Sequence, residues 1–197
     1  MRDASPANQK NAALQELRGV ALATADMSKP DTLSAAIGEG SVVFVNTPGH
    51  IDRVSLTKAA IDAAAAAKAA HVVVVSLPVV TVERSTIFGD QFKAIEEAVK
   101  SCGIPFTIVR LPMFMDNHLG QPIKDMGAVF MPLEPDRLMS AISVRDIGCG
   151  VANILQSPHK YAGRTVTLGG VRTTMAKVRN EQEKFRPFIM STIPSSV

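Results

Sequence analysis

Short β-branched runs alternate with helix-forming stretches along this chain, and that alternation constrains its fold more than any other feature. Ser41-Val-Val-Phe-Val45 is apolar on both faces and too short for a helix, as strands buried in a parallel sheet are. Ser55 to Ala70 follows, dominated by alanine, the residue with the highest helix propensity. Val72-Val-Val-Val75 then reads as a strand. Asp90 to Ser101 places Phe92, Ile95, Ala98 and Val99 on one side of a helix that Gly103 ends. Phe106 to Arg110 is the next strand.

The same reading extends to both ends. Val20 to Thr24 is a short apolar run that predicts a strand ending at Asp26, and Lys29-Pro30-Asp31 opens a helix over Thr32 to Ile37. Ser143 fits an N-cap, with Asp146 three residues on completing a variant of the capping box before a helix to Leu155. Thr165 to Leu168 reads as a late strand. About five strands and four or five helices predict an α/β fold built on one doubly wound parallel sheet. Residues 1–170 form that domain on this reading, and residues 171–197 form an irregular tail of mixed charge.

Composition narrows the function. A chain of 197 residues with 46% hydrophobic and 20% charged content describes one soluble globular domain. The net charge of +3 is slight and Lys and Arg are scattered, so no nucleic-acid partner is expected. Cys102 and Cys149, with no metal-ligand spacing, fit a reducing, cytoplasmic setting. The longest apolar stretch, Ile61 to Pro78, is broken by Asp62, Lys68 and His71, so no membrane span is expected. The N-terminus lacks a secretory core. His50, His71, His118 and His159 are distant in sequence and show no metal spacing, so each reads as a surface or satisfied histidine.

Five segments together carry a family resemblance. Ala25-Asp26, Val42-Val-Phe-Val-Asn-Thr-Pro48, Ser76-Leu-Pro78, Ile104 through Asn117 and Ile142-Ser-Val-Arg-Asp-Ile-Gly148 fall in the order seen in NmrA-like proteins. These form an atypical branch of the short-chain dehydrogenase/reductase superfamily, with a Rossmann-type fold. The resemblance runs from Arg2 to about Gly170. The family normally begins with a strand, G-x-x-G-x-x-G and a helix, which bring backbone N–H groups to a pyrophosphate. Gly38-x-Gly40 precedes a strand and Gly148-x-Gly150 lies in a helical pattern, so neither matches. The chain therefore reads as N-terminally truncated by one βα unit. The expected consequences are NADP binding weakened or lost, and self-association through unpaired strand neighbours.

The resemblance assigns residues to the cofactor. Arg2 resembles the arginine that meets the 2′-phosphate of NADP, a role its two-pronged guanidinium suits. Asp26 resembles the residue beside the adenine, though a helix-capping aspartate explains it as well. Thr47, Pro48 and Gly49 resemble the loop over adenine and ribose, and read equally as a turn. Ser76 ends the strand that carries the serine in those short-chain dehydrogenases that use a serine, a tyrosine and a lysine. That chemistry needs a lysine four residues after the tyrosine, and Tyr161 has Thr165 there, so it is excluded. Pro112, Met113 and Phe114 resemble the loop beside the nicotinamide, where Met and Phe make an adaptable apolar wall. The family's remaining lysine near the nicotinamide matches Phe92. Lys93, one residue on and roughly 100° around the helix, is a weak catalytic candidate together with Asn117.

Two functions follow from the resemblance. One is an NAD(P)H-dependent oxidoreductase of small quinone-type molecules. The other is a non-catalytic NADP-sensing regulator that binds a protein partner. A truncated product without cofactor binding is the third reading.

Overall fold

The sheet at the centre of this fold follows from two apolar runs placed side by side. The structure, a computed structural model, describes residues 13–83, 86–118, 128–131, 134–178 and 189–192. In chain order its elements begin with α1 (Pro30–Ala36), β1 (Val42–Val45), α2 (Arg53–Ala66), β2 (His71–Ser76), α3 (Ile87–Lys100) and β3 (Phe106–Arg110). They continue with β4 (Met113–Phe114), β5 (Ala128–Met131), β6 (Met139–Ile142), α4 (Val144–Gln156), β7 (Arg164–Thr167), β8 (Val171–Thr173) and β9 (Ile189–Thr192). Short 3₁₀ turns occupy Pro78–Thr81, Met115–His118 and Pro158–Tyr161. The chain divides into two compact units, Met1–Val109 with Ile154–Val166, and Arg110–Asn153 with Thr167–Val197.

The first unit is built on the four-stranded order β1-β2-β3-β7. β1 and β2 pair in parallel, from Val42 opposite His71 to Val45 opposite Val74. Val72, Val73, Val74, Ile108 and Val109 are fully buried, as strands covered on both faces must be. Ile61 on α2 and Ile95 and Val99 on α3 close the core against them. The small side chains of α2 bury Thr57, Ala60, Ile61, Ala63 and Ala64, spaced to fall on one helical face. In α3 the buried positions are Gly89, Phe92, Ile95, Glu96 and Val99. Thr86 caps its start by accepting from the Gly89 amide at 2.9 Å. Its C-terminal turn leads to Gly103, which takes a φ of 78°.

Val20 to Thr24 is not a strand: it forms no ladder among the described residues and is largely exposed. An apolar run of this length becomes a strand only where a neighbour accepts its hydrogen bonds.

One buried polar chain ties three elements of this unit together. His71, 2% exposed, lies with Nε2 2.8 Å from the Thr107 hydroxyl oxygen. Thr107 donates its one hydroxyl proton to the Tyr161 carbonyl at 2.9 Å. The hydroxyl must therefore accept from His71, which fixes the neutral imidazole with its proton on Nε2. Burial pushes the His71 pKa below its ordinary 6.5. A lowered folded-state value means that the unfolded chain binds the proton more readily. The stabilisation is complete above about pH 6.5 and is lost as pH falls from there through the folded value. The melting temperature should therefore drop between pH 7.5 and pH 5 more steeply in the wild type than in His71→Gln. Equal slopes would refute this.

In the second unit β6 is the middle of the order β4-β6-β8, parallel to β4 and antiparallel to β8. β5 pairs in parallel with β9, Ala128 opposite Ile189. Ser143 accepts from the Asp146 amide at 3.1 Å, the N-cap expected for α4, and its hydroxyl donates to the Asp146 carboxylate at 2.8 Å. Met175 is buried here, and Val171–Thr173 pairs with Met139–Ala141 although the stretch after Gly170 reads as irregular in sequence. Pairing with β6 is what makes a strand of these three residues. Among the described residues no helix is long and apolar enough to cross a membrane.

Candidate functional site

In an open α/β sheet the ligand side lies beyond the carboxyl ends of the strands. In the first unit the residues there are the Thr47-Pro48-Gly49 loop after β1 and Ser76 at the end of β2. The register that sets Val45 opposite Val74 brings these two strand ends side by side.

The loop is held from below by α2. The Thr57 hydroxyl donates to the Arg53 carbonyl at 2.7 Å, so the Thr47 hydroxyl donates to the Thr57 oxygen at 2.7 Å. Arg53 donates from Nε to the Pro48 carbonyl at 3.2 Å. Thr47 is half-buried, while Pro48 and Gly49 stay exposed. The loop therefore offers a bare backbone surface on a fixed base. A Cβ at Gly49 would stand 3.2 Å from Nη2 of Arg53, so glycine leaves that base undisturbed.

Ser76 is fully buried and donates to Glu96 Oε1 on α3 at 2.6 Å. Its proton is already placed in an intramolecular bond. Asp26 Oδ1 accepts from the Ser28 amide at 3.0 Å and from its hydroxyl at 2.8 Å, as a turn-forming aspartate does. The Asp26 amide in turn meets the Thr32 hydroxyl at 2.9 Å. Phe92 points into the core at 6% exposure, and Lys93 is half-buried on the next position of α3. Arg2 lies outside the described residues.

The remaining candidates belong to the second unit. Pro112, Met113 and Phe114 are half-buried, and Asn117 is exposed. Met113 and Phe114 form β4, in register with Ala141 and Ile142 of β6. Asp116 accepts the Val144 amide at 2.8 Å, which anchors this loop to the start of α4.

Three residues stand out that the sequence motifs passed over: Glu96, Phe88 and Arg53. Glu96 receives Ser76. Phe88 and Phe92 lie against the Arg53 guanidinium, with ring centroids 5.4 and 4.8 Å from its central carbon. Arg53 itself is 7% exposed, and burial pushes its pKa below the ordinary guanidinium value. A signal for Arg53 exists in the sequence: with Thr57, Ile61 and Ala64 it lies on the buried stripe of α2.

Comparison with known proteins places this arrangement. The model of the NmrA-like family matches residues 1–185. The chain belongs to the NmrA-like family. Its α/β, Rossmann-like sheet agrees with the fold of solved members. An NAD(P)H azoreductase from Xenophilus azovorans is 33% identical over 170 residues, which are 85% of this chain and 57% of that protein. This NmrA-like chain thus spans little more than half the length of that curated relative. The quinone oxidoreductase QOR2 of Escherichia coli, solved with NADPH, superposes with a TM-score of 0.78 at 19% identity, over 98% of this chain and 67% of its own. NmrA, a negative transcriptional regulator solved with NADP, gives 0.77 at 17% identity, over 96% and 64%. At these identities the structural likeness speaks for the fold alone.

Proposed function

We propose that this chain supplies the dinucleotide-binding face of an NAD(P)H-dependent reductase acting on small, quinone-type molecules. The observation that carries the reading is the Thr47-Pro48-Gly49 loop, fixed at the carboxyl end of β1 and bare on its outer side. Its support from sequence is the 33% identity to an NAD(P)H azoreductase.

The residues present fit the adenine half of such a cofactor. An exposed proline and glycine offer a flat surface to a base, and the Thr47–Thr57 bond holds that surface in place. Asp26, at the turn before α1, is the polar neighbour on this reading. By the family resemblance, Pro112, Met113 and Phe114 correspond to the apolar wall beside the nicotinamide, Asn117 to a polar contact and Arg2 to the 2′-phosphate contact. When bound, the reduced nicotinamide supplies a hydride. A quinone-type acceptor delocalises the charge the hydride brings and takes the balancing proton from solvent, which agrees with the lack of a tyrosine–lysine pair and with Ser76 engaged by Glu96.

NADPH at millimolar concentration should raise the melting temperature of the purified chain, because a ligand that binds only the folded state stabilises it. NADPH oxidation driven by a quinone then distinguishes a reductase from a cofactor sensor. No thermal shift at all would rule out both for this polypeptide.

A further inference from the structure

Arg53 is a buried cation with an unused donor. Its Nη1 is fully buried and has no hydrogen-bond partner, and among the described residues no carboxylate pairs with it. The faces of Phe88 and Phe92 satisfy the plane of the guanidinium, and Nε donates to the Pro48 carbonyl, but the N–H donors on Nη1 stay unanswered. A buried, uncompensated donor on a charged group is costly, and such a group calls for an acceptor.

Its position says what kind of acceptor. Arg53 is the first residue of the 14-residue helix α2, and its side chain turns back past the helix start to reach the Pro48 carbonyl. The N-cap residue Asp52 makes no capping hydrogen bond to the first turn. Its carboxylate instead faces His50 at 3.5 Å and is mostly exposed, so it does not neutralise the site. A helix N-terminus with a positive dipole end and a buried guanidinium beside it both favour negative charge. Residues in contact with the guanidinium reach the surface: Pro48 and Gly49 are exposed, and Phe88 is 57% exposed. Of the two rings against the guanidinium, the exposed Phe88 has the more freedom to change rotamer, and Phe92 is buried.

We propose that Arg53 anchors an oxyanion-binding site at the start of α2, taking a phosphate, sulfonate or carboxylate oxygen on Nη1. The anion is either a phosphate of the dinucleotide or an acidic group on an aromatic substrate. The site rests on the reading that the carboxyl edge of β1 faces the ligand.

The test measures melting temperature at constant ionic strength with inorganic pyrophosphate, with benzenesulfonate and with chloride alone. Wild type should gain at least about 2 °C from one of the two oxyanions over chloride. A gain with pyrophosphate identifies the phosphate source, and a gain with benzenesulfonate identifies the acidic aromatic one. Arg53→Gln should lose that gain. Gly49→Ala, at an exposed position where the added Cβ presses on Nη2, should reduce it while folding normally. That variant keeps the test decisive if Arg53→Gln fails to fold. No oxyanion gain in wild type overturns the proposal, as does an equal gain in all three proteins. An NADPH-induced shift that is undiminished in Arg53→Gln, with no oxyanion effect, would overturn this site and leave the reductase reading standing.

Discussion

Gly170→Ala should destabilise the second unit by about 3 kcal/mol, the upper end of what overpacking costs. A Cβ at this position would fall on the carbonyl oxygen of Ala141, and it would stand 2.8 Å from the Ala141 carbonyl carbon and from the Ile142 Cα. All three are backbone atoms of β6, the middle strand of its sheet, so no side-chain rotation relieves the clash. Either β6 separates from the segment entering β8 or the pairing of Ala141 with Val171 shifts. Urea unfolding of the variant against wild type measures the loss. A change below about 0.5 kcal/mol, the range of an ordinary surface substitution, would show that the close approach is not maintained. Gly148→Ala is the natural comparison, since nothing lies within 4 Å of the Cβ it would add.

Thr107→Val should cost about 2–4 kcal/mol in the first unit, since each buried group left unpaired costs roughly 1–3 kcal/mol. Valine matches threonine in shape, so the substitution removes hydrogen bonds with little change in volume. It strands the His71 Nε2–H in the core and the Tyr161 carbonyl above it. Thr107→Ser keeps the hydroxyl and should recover the larger part of the loss. If valine proves as stable as serine, the His71–Thr107–Tyr161 chain contributes nothing net.

The sequence announces the interior of this protein better than its edges. Val72 to Val75, the Phe92, Ile95 and Val99 stripe, and the Ser143–Asp146 cap are local patterns, and a local pattern encodes its own secondary structure. Val20 to Thr24 has the composition of a strand but no ladder among the described residues. Val171–Thr173 lacks a strand pattern and becomes one by pairing with β6. Strand identity is a property of two segments, and only one of them is visible at a time in a linear reading.

The candidate site divides in the same way. Thr47, Pro48 and Gly49 are legible as a turn at a strand end, which is where an α/β sheet takes its ligands. That Thr47 spends its proton on Thr57, that Ser76 gives its own to Glu96, and that Arg53 lies buried between two phenylalanines are not legible. Each depends on a neighbour from another element, 10, 20 or nearly 40 residues away along the chain. The stripe that Arg53 shares with Thr57 and Ile61 points it inward, but nothing in the local sequence reports what will cover it.

By itself the sequence determined the alternation of strands and helices and the family. Periodicity and propensity are enough for the alternation, being properties of neighbouring residues, while the family is carried by five ordered segments that resemble it. Tertiary structure alone decided which polar groups are spent and which remain open, because a hydrogen bond is settled by the atoms that arrive beside it.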